Sequence, residues 1–143
     1  MRIRDVLAAK ADPTVQTVPP DLSVRDLVSR LAEHNVGALV VSRDGASVDG
    51  IVSERDVVRH LDSDPEVLSA EVRSIMTTEV HSCTPEEDLD ALMTAMTQRR
   101  IRHVPVLDGS RMVGIVSIGD VVKHKISALQ FERDQLDHYV HQS

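Results

Sequence analysis

Apolar positions along the chain switch between two periods, and the switch happens twice in the same order. Val15-Gln16-Thr17-Val18 and Val80-His81-Ser82-Cys83 are short β-prone runs, closed by Pro19-Pro20 and by Pro85. Val24, Leu27, Val28 and Leu31 then fall at helical spacing, as do Leu89, Leu92, Met93 and Met96. Ser23 and Asp88 stand where the N-caps belong, with Asp26 placed to complete a capping box behind Ser23. The stretches 36–41 and 101–106 read as strands, and Arg43-Asp44-Gly45 and Asp108-Gly109-Ser110 as the turns after them. A third strand in each half carries Gly-Ile-Val-Ser into a second helix.

The order β-α-β-β-α is thus written twice. Gly50-Ile51-Val52-Ser53-Glu54-Arg55-Asp56-Val57-Val58-Arg59-His60 recurs as Gly114-Ile115-Val116-Ser117-Ile118-Gly119-Asp120-Val121-Val122-Lys123-His124. Two copies are too few for a solenoid. They must bury their apolar faces against one another, which predicts a pseudo-two-fold α/β core with two related clefts. The first repeat is expected at residues 1–62, a linker at 63–73, the second repeat at 74–125 and a helical tail at 126–143. Asp62-Ser63-Asp64-Pro65 separates the first repeat from a short linking helix around 69–76, which resembles the segment 3–10 at the front. The tail keeps an apolar stripe at Ile126, Leu129, Leu136, Tyr139 and Val140, and packs either on its own domain or on a partner chain.

Composition narrows the chemistry. A chain of 143 residues with 41% hydrophobic content can close one full core. Trp is absent and Phe131 and Tyr139 are the only aromatics, so the core is aliphatic and a bound base would lie between aliphatic side chains. The net charge of −7 and the lack of stacking platforms argue against nucleic-acid binding. No run reaches membrane-spanning length and no signal-peptide core follows the start, which points to a cytoplasmic protein. The single Cys83 excludes an internal disulfide framework and, aligned with Val18, reads as a small core hydrophobe.

Seven histidines are scattered without metal-ligand spacing, and no serine sits in a nucleophile elbow, so neither a metal site nor a catalytic centre is expected. His60 and His124 fall near helix C-termini, a structural position. Arg99-Arg100 reads as a solvated helix end before it reads as a phosphate site. The duplicated Ser53/Asp56 and Ser117/Asp120 remain. Ser-x-x-Asp at a strand-to-helix junction is a capping box, and capping alone accounts for each copy. The same corner also carries free helix amides and a carboxylate able to accept two hydrogen bonds from vicinal hydroxyls, the way ribose is commonly held. The residues alone leave both readings open.

The whole repeat region resembles the CBS-domain pair, the tandem module named after cystathionine β-synthase. The residues that carry the resemblance are GIVSERD and GIVSIGD, supported by Asn35-Val36-Gly37-Ala38-Leu39-Val40-Val41 and Arg100-Ile101-Arg102-His103-Val104-Pro105-Val106. The resemblance implies a non-enzymatic regulatory module with adenine-nucleotide ligands such as AMP, ADP, ATP, NAD or S-adenosylmethionine. It needs no further cofactor and usually forms a homodimer, and a pair standing alone either acts on a separate regulated protein or simply buffers and senses ligand. Carried onto this sequence, it assigns Asp56 and Asp120 to the ribose hydroxyls and Ser53 and Ser117 to ribose or phosphate oxygens. Gly37, Ala38, Arg102 and His103 take the adenine edge, Val15 and Val80 its faces, and Arg55, Arg102 and His103 the phosphates. The alternative is an interaction scaffold whose Ser-Asp pairs only cap helices. The second site, with Arg102-His103 in place of Gly37-Ala38, is expected to favour anionic ligands.

Overall fold

The computed structural model describes residues 1–10 and 14–141. The first repeat contains β1 (Thr17–Val18), α2 (Val24–His34), β2 (Ala38–Val41), β3 (Gly50–Ser53) and α3 (Glu54–Ser63), preceded by α1 (Ile3–Ala8). The second contains α4 (Leu89–Arg99), β4 (His103–Asp108), β5 (Arg111–Ser117) and the long α5 (Ile118–Val140). A 3-10 turn at Val72–Ser74 stands where a linking helix around 69–76 was expected, and a second, Pro65–Ser69, precedes it. α3 runs on through Ser63, and Asp64 caps the first of these turns by accepting from the Glu66 amide.

Helix ends follow the sequence closely. Ser23 accepts from the Asp26 amide, one half of the expected box, and Asp88 accepts from Ala91. Asn35 and Arg100 close α2 and α4 at equivalent left-handed positions, φ 52° and 55°. Asn tolerates that conformation better than Arg does.

The sheets differ more than the sequence suggests. In the first repeat β1 pairs parallel to β2, and β2 antiparallel to β3. In the second only β4 and β5 form a ladder, and the expected opening strand at Val80–Cys83 shrinks to one bridge between Cys83 and Val106. Pro105 is the reason. Its carbonyl accepts from the Cys83 amide at 3.0 Å, so that edge of the residue faces the opening strand, yet its ring nitrogen has no proton to give back. Val40 occupies the same place in the first repeat and has one.

Each repeat owns a core, and each core borrows a piece from across the sequence. Val18, Leu27, Leu39, Val41 and Val52 pack with Val67, Val72 and Ile75 of the connecting segment. Ile3 and Val6 of α1 instead pack into the second core with Leu89, Met96, Val104 and Val116. Matched backbone bonds hold the two crossings: Ile3 donates to Glu87 and Arg4 to Pro85, as Val72 donates to Leu22 and Arg73 to Pro20. The repeated glycines mark where the crossing segments pass. A Cβ on Gly50 would lie 2.8 Å from the Thr77 carbonyl oxygen and from Met76 Sδ, and one on Gly114 would lie 2.7 Å from Leu7 Cδ2.

Past Val121 the long helix leaves the core. Its stripe stands in solvent, from 51% exposed at Ile126 to 77% at Tyr139. Among the described residues, Ile126, Leu129, Leu136 and Tyr139 therefore keep at least half of their surface open, against the reading that the tail packs on its own domain.

Candidate functional site

Both Ser-x-x-Asp corners form as complete capping boxes. At the first, Ser53 Oγ accepts from the Asp56 amide at 3.3 Å, while Asp56 Oδ2 accepts from the Ser53 amide at 2.8 Å and from Ser53 Oγ at 3.1 Å. At the second, Ser117 Oγ accepts from the Asp120 amide at 3.2 Å and Asp120 Oδ2 accepts from the Ser117 amide at 2.9 Å. The helix behind each corner is tied to the residue just before the neighbouring strand, β2 or β4: the Glu54 amide donates to Gly37 and the Ile118 amide to Arg102. The segments 37–38 and 102–103 thereby sit directly beside their Ser-Asp corners.

The two corners face one shared cleft of about 1030 Å³ between the repeats. Gly37, Ala38, Ser53, Arg55, Asp56, Val80, Arg102, His103 and Ser117 all line it. Its size is that of sites for drug-sized ligands and nucleotides. The repeats interleave there, since a Cβ on Gly37 would lie 3.5 Å from Glu54 Oε1 and 3.9 Å from His103 Cε1. Two expected residues stand apart from the lining. Val15, which precedes β1, and Asp120 are not among its lining residues.

Asp120 is already paired. Lys10 Nζ lies 2.9 Å from Asp120 Oδ2 and donates to the Ile115 carbonyl at 2.6 Å, with both side chains about three-quarters buried. Burial acts to raise the Asp120 carboxyl. The Ser117 amide, the Lys10 ammonium and the Ser117 hydroxyl outweigh it and hold the group below the ordinary carboxylate value. Among the described residues Asp56 has no such cation.

Burial also moves His103. It lowers the imidazole below its usual value, with Asp120 and Glu54 pulling up against Arg102 and Lys10. A neutral His103 can donate or accept one hydrogen bond but brings no positive charge at neutral pH. Charge in the cleft instead comes from Arg55, Arg59, Arg100 and Arg102, set against Glu54, Asp56 and Glu79. Arg59 lies one helical turn beyond Arg55, a spacing visible in the sequence. Arg100, read from sequence as a solvated helix end, lines the cleft because its left-handed cap turns the chain there. Glu79 was also missed. The matched backbone bonds of residues 3 and 4 with 72 and 73, counted forward, set Glu79 opposite Lys10.

The remaining candidates take structural roles. A ring nitrogen of His60 bonds the Asp56 carbonyl at 2.8 Å. Cys83 is buried, and burial, with Glu87 adding to it, pushes its thiol up to about 12, which is the reverse of nucleophile activation. Among the described residues no His, Cys, Asp and Glu cluster could hold a metal ion, and no helix is long and apolar enough to cross a membrane.

Two α/β repeats around a shared cleft, each with its Gly-Ile-Val-Ser-x-x-Asp corner, define the paired CBS module, and the CBS domain model matches residues 3–63 and 72–127. The chain belongs to the CBS-domain family. It is 38% identical over 96% of its length to the mitochondrial CBS domain-containing protein CBSX3 of Arabidopsis thaliana, covering 71% of that protein. It is 31% identical over 79% of its length to the CBS domain-containing protein YhcV of Bacillus subtilis, covering 80% of it. The crystal structure of a CBS-domain protein from Agrobacterium tumefaciens superposes with a TM-score of 0.83 at 39% identity, over 87% of this chain and 99% of that one. A CBS-domain pair crystallised with 5′-methylthioadenosine and S-adenosyl-L-methionine shares the fold, with a TM-score of 0.77 at 24% identity. One relative is thus named as mitochondrial, so the cytoplasm is not the compartment of every protein like this one.

Proposed function

We propose that this protein is a non-enzymatic regulatory module that binds an adenine nucleotide or related adenosine ligand in the cleft between its repeats. The observation that carries the reading is the convergence of Asp56, Ser53 and Ser117 with the strand segments Gly37-Ala38 and Arg102-His103 on one cavity. Capping consumes Oδ2 of Asp56; its Oδ1 is left to accept from a ribose hydroxyl. The base lies against Ala38, Ile51 and Val80, and the four cleft arginines set the place for phosphate. The likeness to the fold that holds methylthioadenosine and S-adenosylmethionine agrees with this class of ligand. Bound ligand touches both repeats and shifts the population of their relative arrangements by its differential affinity, which a separate regulated protein reads.

Thermal unfolding with AMP, ADP, ATP, NAD and S-adenosylmethionine tests the reading. A true ligand at about 100 times its Kd adds about 2.7 kcal/mol. A melting curve unmoved by all five favours the interaction scaffold, whose Ser-Asp pairs only cap helices.

The exposed stripe of α5 supports a homodimer as the assembled form, since a row of large apolar side chains including both aromatics suits an interface. A chain ending after Lys125 keeps every core residue and is expected to remain folded while dissociating on dilution. Sedimentation of a truncated dimer as tight as the full-length one would move the interface to the repeat helices.

A further inference from the structure

The two crossing segments occupy equivalent places but end in opposite charges. Matched bonds place residues 3 and 4 on 72 and 73, and the Leu89 amide on Met1 corresponds to the Val24 amide on Ala70. Counting along both segments sets Lys10 where Glu79 stands. In the first repeat the segment runs extended at this point and pairs by backbone, Ile51 with Thr77, through bonds of 3.0 and 2.9 Å. In the second repeat α1 is still helical at Ala8, and the carbonyl of Ile115, the counterpart of Ile51, receives the Lys10 ammonium instead. The same ammonium holds Asp120. Glu79 lines the open cleft together with Asp56, and among the described residues neither pairs with a cation.

We propose that Lys10 is a built-in cation that occupies Asp120 in place of a ligand's ribose, so that each chain holds one nucleoside ligand, at Asp56. This rests on the reading that these carboxylates grip ribose. A diol reaching Asp120 must displace the ammonium from both of its acceptors and leave it part-buried and unpartnered. That makes the second corner about 10–100-fold weaker than the first. The expectation from sequence that the second site is the better one is thereby reversed, because the residue that decides it lies over a hundred positions away from Asp120.

Stoichiometry tests the assignment, by titration calorimetry of the full chain with AMP and, to remove phosphate from the comparison, with adenosine. The wild type is expected to bind one equivalent, lost in Asp56→Asn and kept in Asp120→Asn. Lys10→Met, which keeps the aliphatic stem and removes the charge, is expected to bind two. In Lys10→Met combined with Asp56→Asn, one equivalent returns, now dependent on Asp120. Circular dichroism melting confirms that each variant is folded. Two equivalents of equal affinity in the wild type, or wild-type binding lost in Asp120→Asn while Asp56→Asn binds normally, overturns the role of Lys10 and leaves the nucleotide reading standing. One equivalent in Lys10→Met also overturns it. No binding of either ligand to wild type and Lys10→Met alike overturns the nucleotide reading itself, and this inference with it.

Discussion

The corner at Asp56 and the corner at Asp120 share their local chemistry almost bond for bond. Each has a serine ending a strand, an aspartate at the third position of a helix and a reciprocal pair of hydrogen bonds between them. What separates them arrives from outside the motif. Lys10 closes on Asp120 with 2.9 Å between charged atoms, whereas the residue that counting sets opposite Lys10 is Glu79, which lines the cleft with Asp56. A duplicated motif therefore specifies two duplicated backbones, and the segment that crosses each one decides its electrostatic state.

The comparison can be broken at the crossings. Ile3 and Val72 sit at matching positions with no exposed surface. Ile3→Ala is expected to cost about 2–5 kcal/mol and to lower hydrogen-exchange protection mainly in β4, β5 and α4. Val72→Ala has less to lose, by about 0.8 kcal/mol for one carbon fewer, and should loosen the first repeat. Protection lost uniformly in both variants would mean that the two cores are one cooperative unit. Next in size are the glycines. Gly50→Ala drives a methyl against the Thr77 backbone and should cost about 1–3 kcal/mol. Gly114→Ala meets only the end of Leu7, which can turn aside, and should cost less. Urea midpoints in the opposite order would show that Leu7 is held as firmly as backbone.

The smallest effect concerns pH. The folded-state value of Asp120 is lowered, so its contribution is present above the unfolded value near about 3.9 and fades as pH falls through the lower folded value. Lys10→Met should therefore cost about 1 kcal/mol at pH 7 and progressively less as pH falls below the ordinary carboxylate value, read as urea midpoints. Glu79→Met, which breaks no ion pair, should move the neutral midpoint far less. Equal effects of the two substitutions would remove the electrostatic difference between the corners.

Most of the fold was legible because its signals are local. Helix spacing, the serine and aspartate caps and the turn residues each act within four positions, and they placed α2, α4, α3 and the start of α5. The opening strand of the second repeat was not, although the substitution responsible was visible: Pro105 for Val40 removes a donor whose loss matters only once the strand edge is known. Arg59 and Arg100 needed the cleft before they could be seen to face it. The Lys10–Asp120 pair lay furthest out of reach, since nothing in a linear pattern says that the end of α1 comes to rest on the second repeat.

That crossing also sets the order in which the chain can become itself during synthesis. Everything that the first core uses lies between Val18 and Met76, so this half can consolidate while the remainder is still being made. The amino-terminal helix belongs with strands translated long afterwards, and Ile3 waits for Glu87 and for Val116 before its partners exist. Residues translated ahead of the first repeat are thus among the last to dock. Until the second half is complete, Ile3 and Val6 stay open to water, and a nascent chain halted there shows a chaperone the apolar face that the finished protein hides.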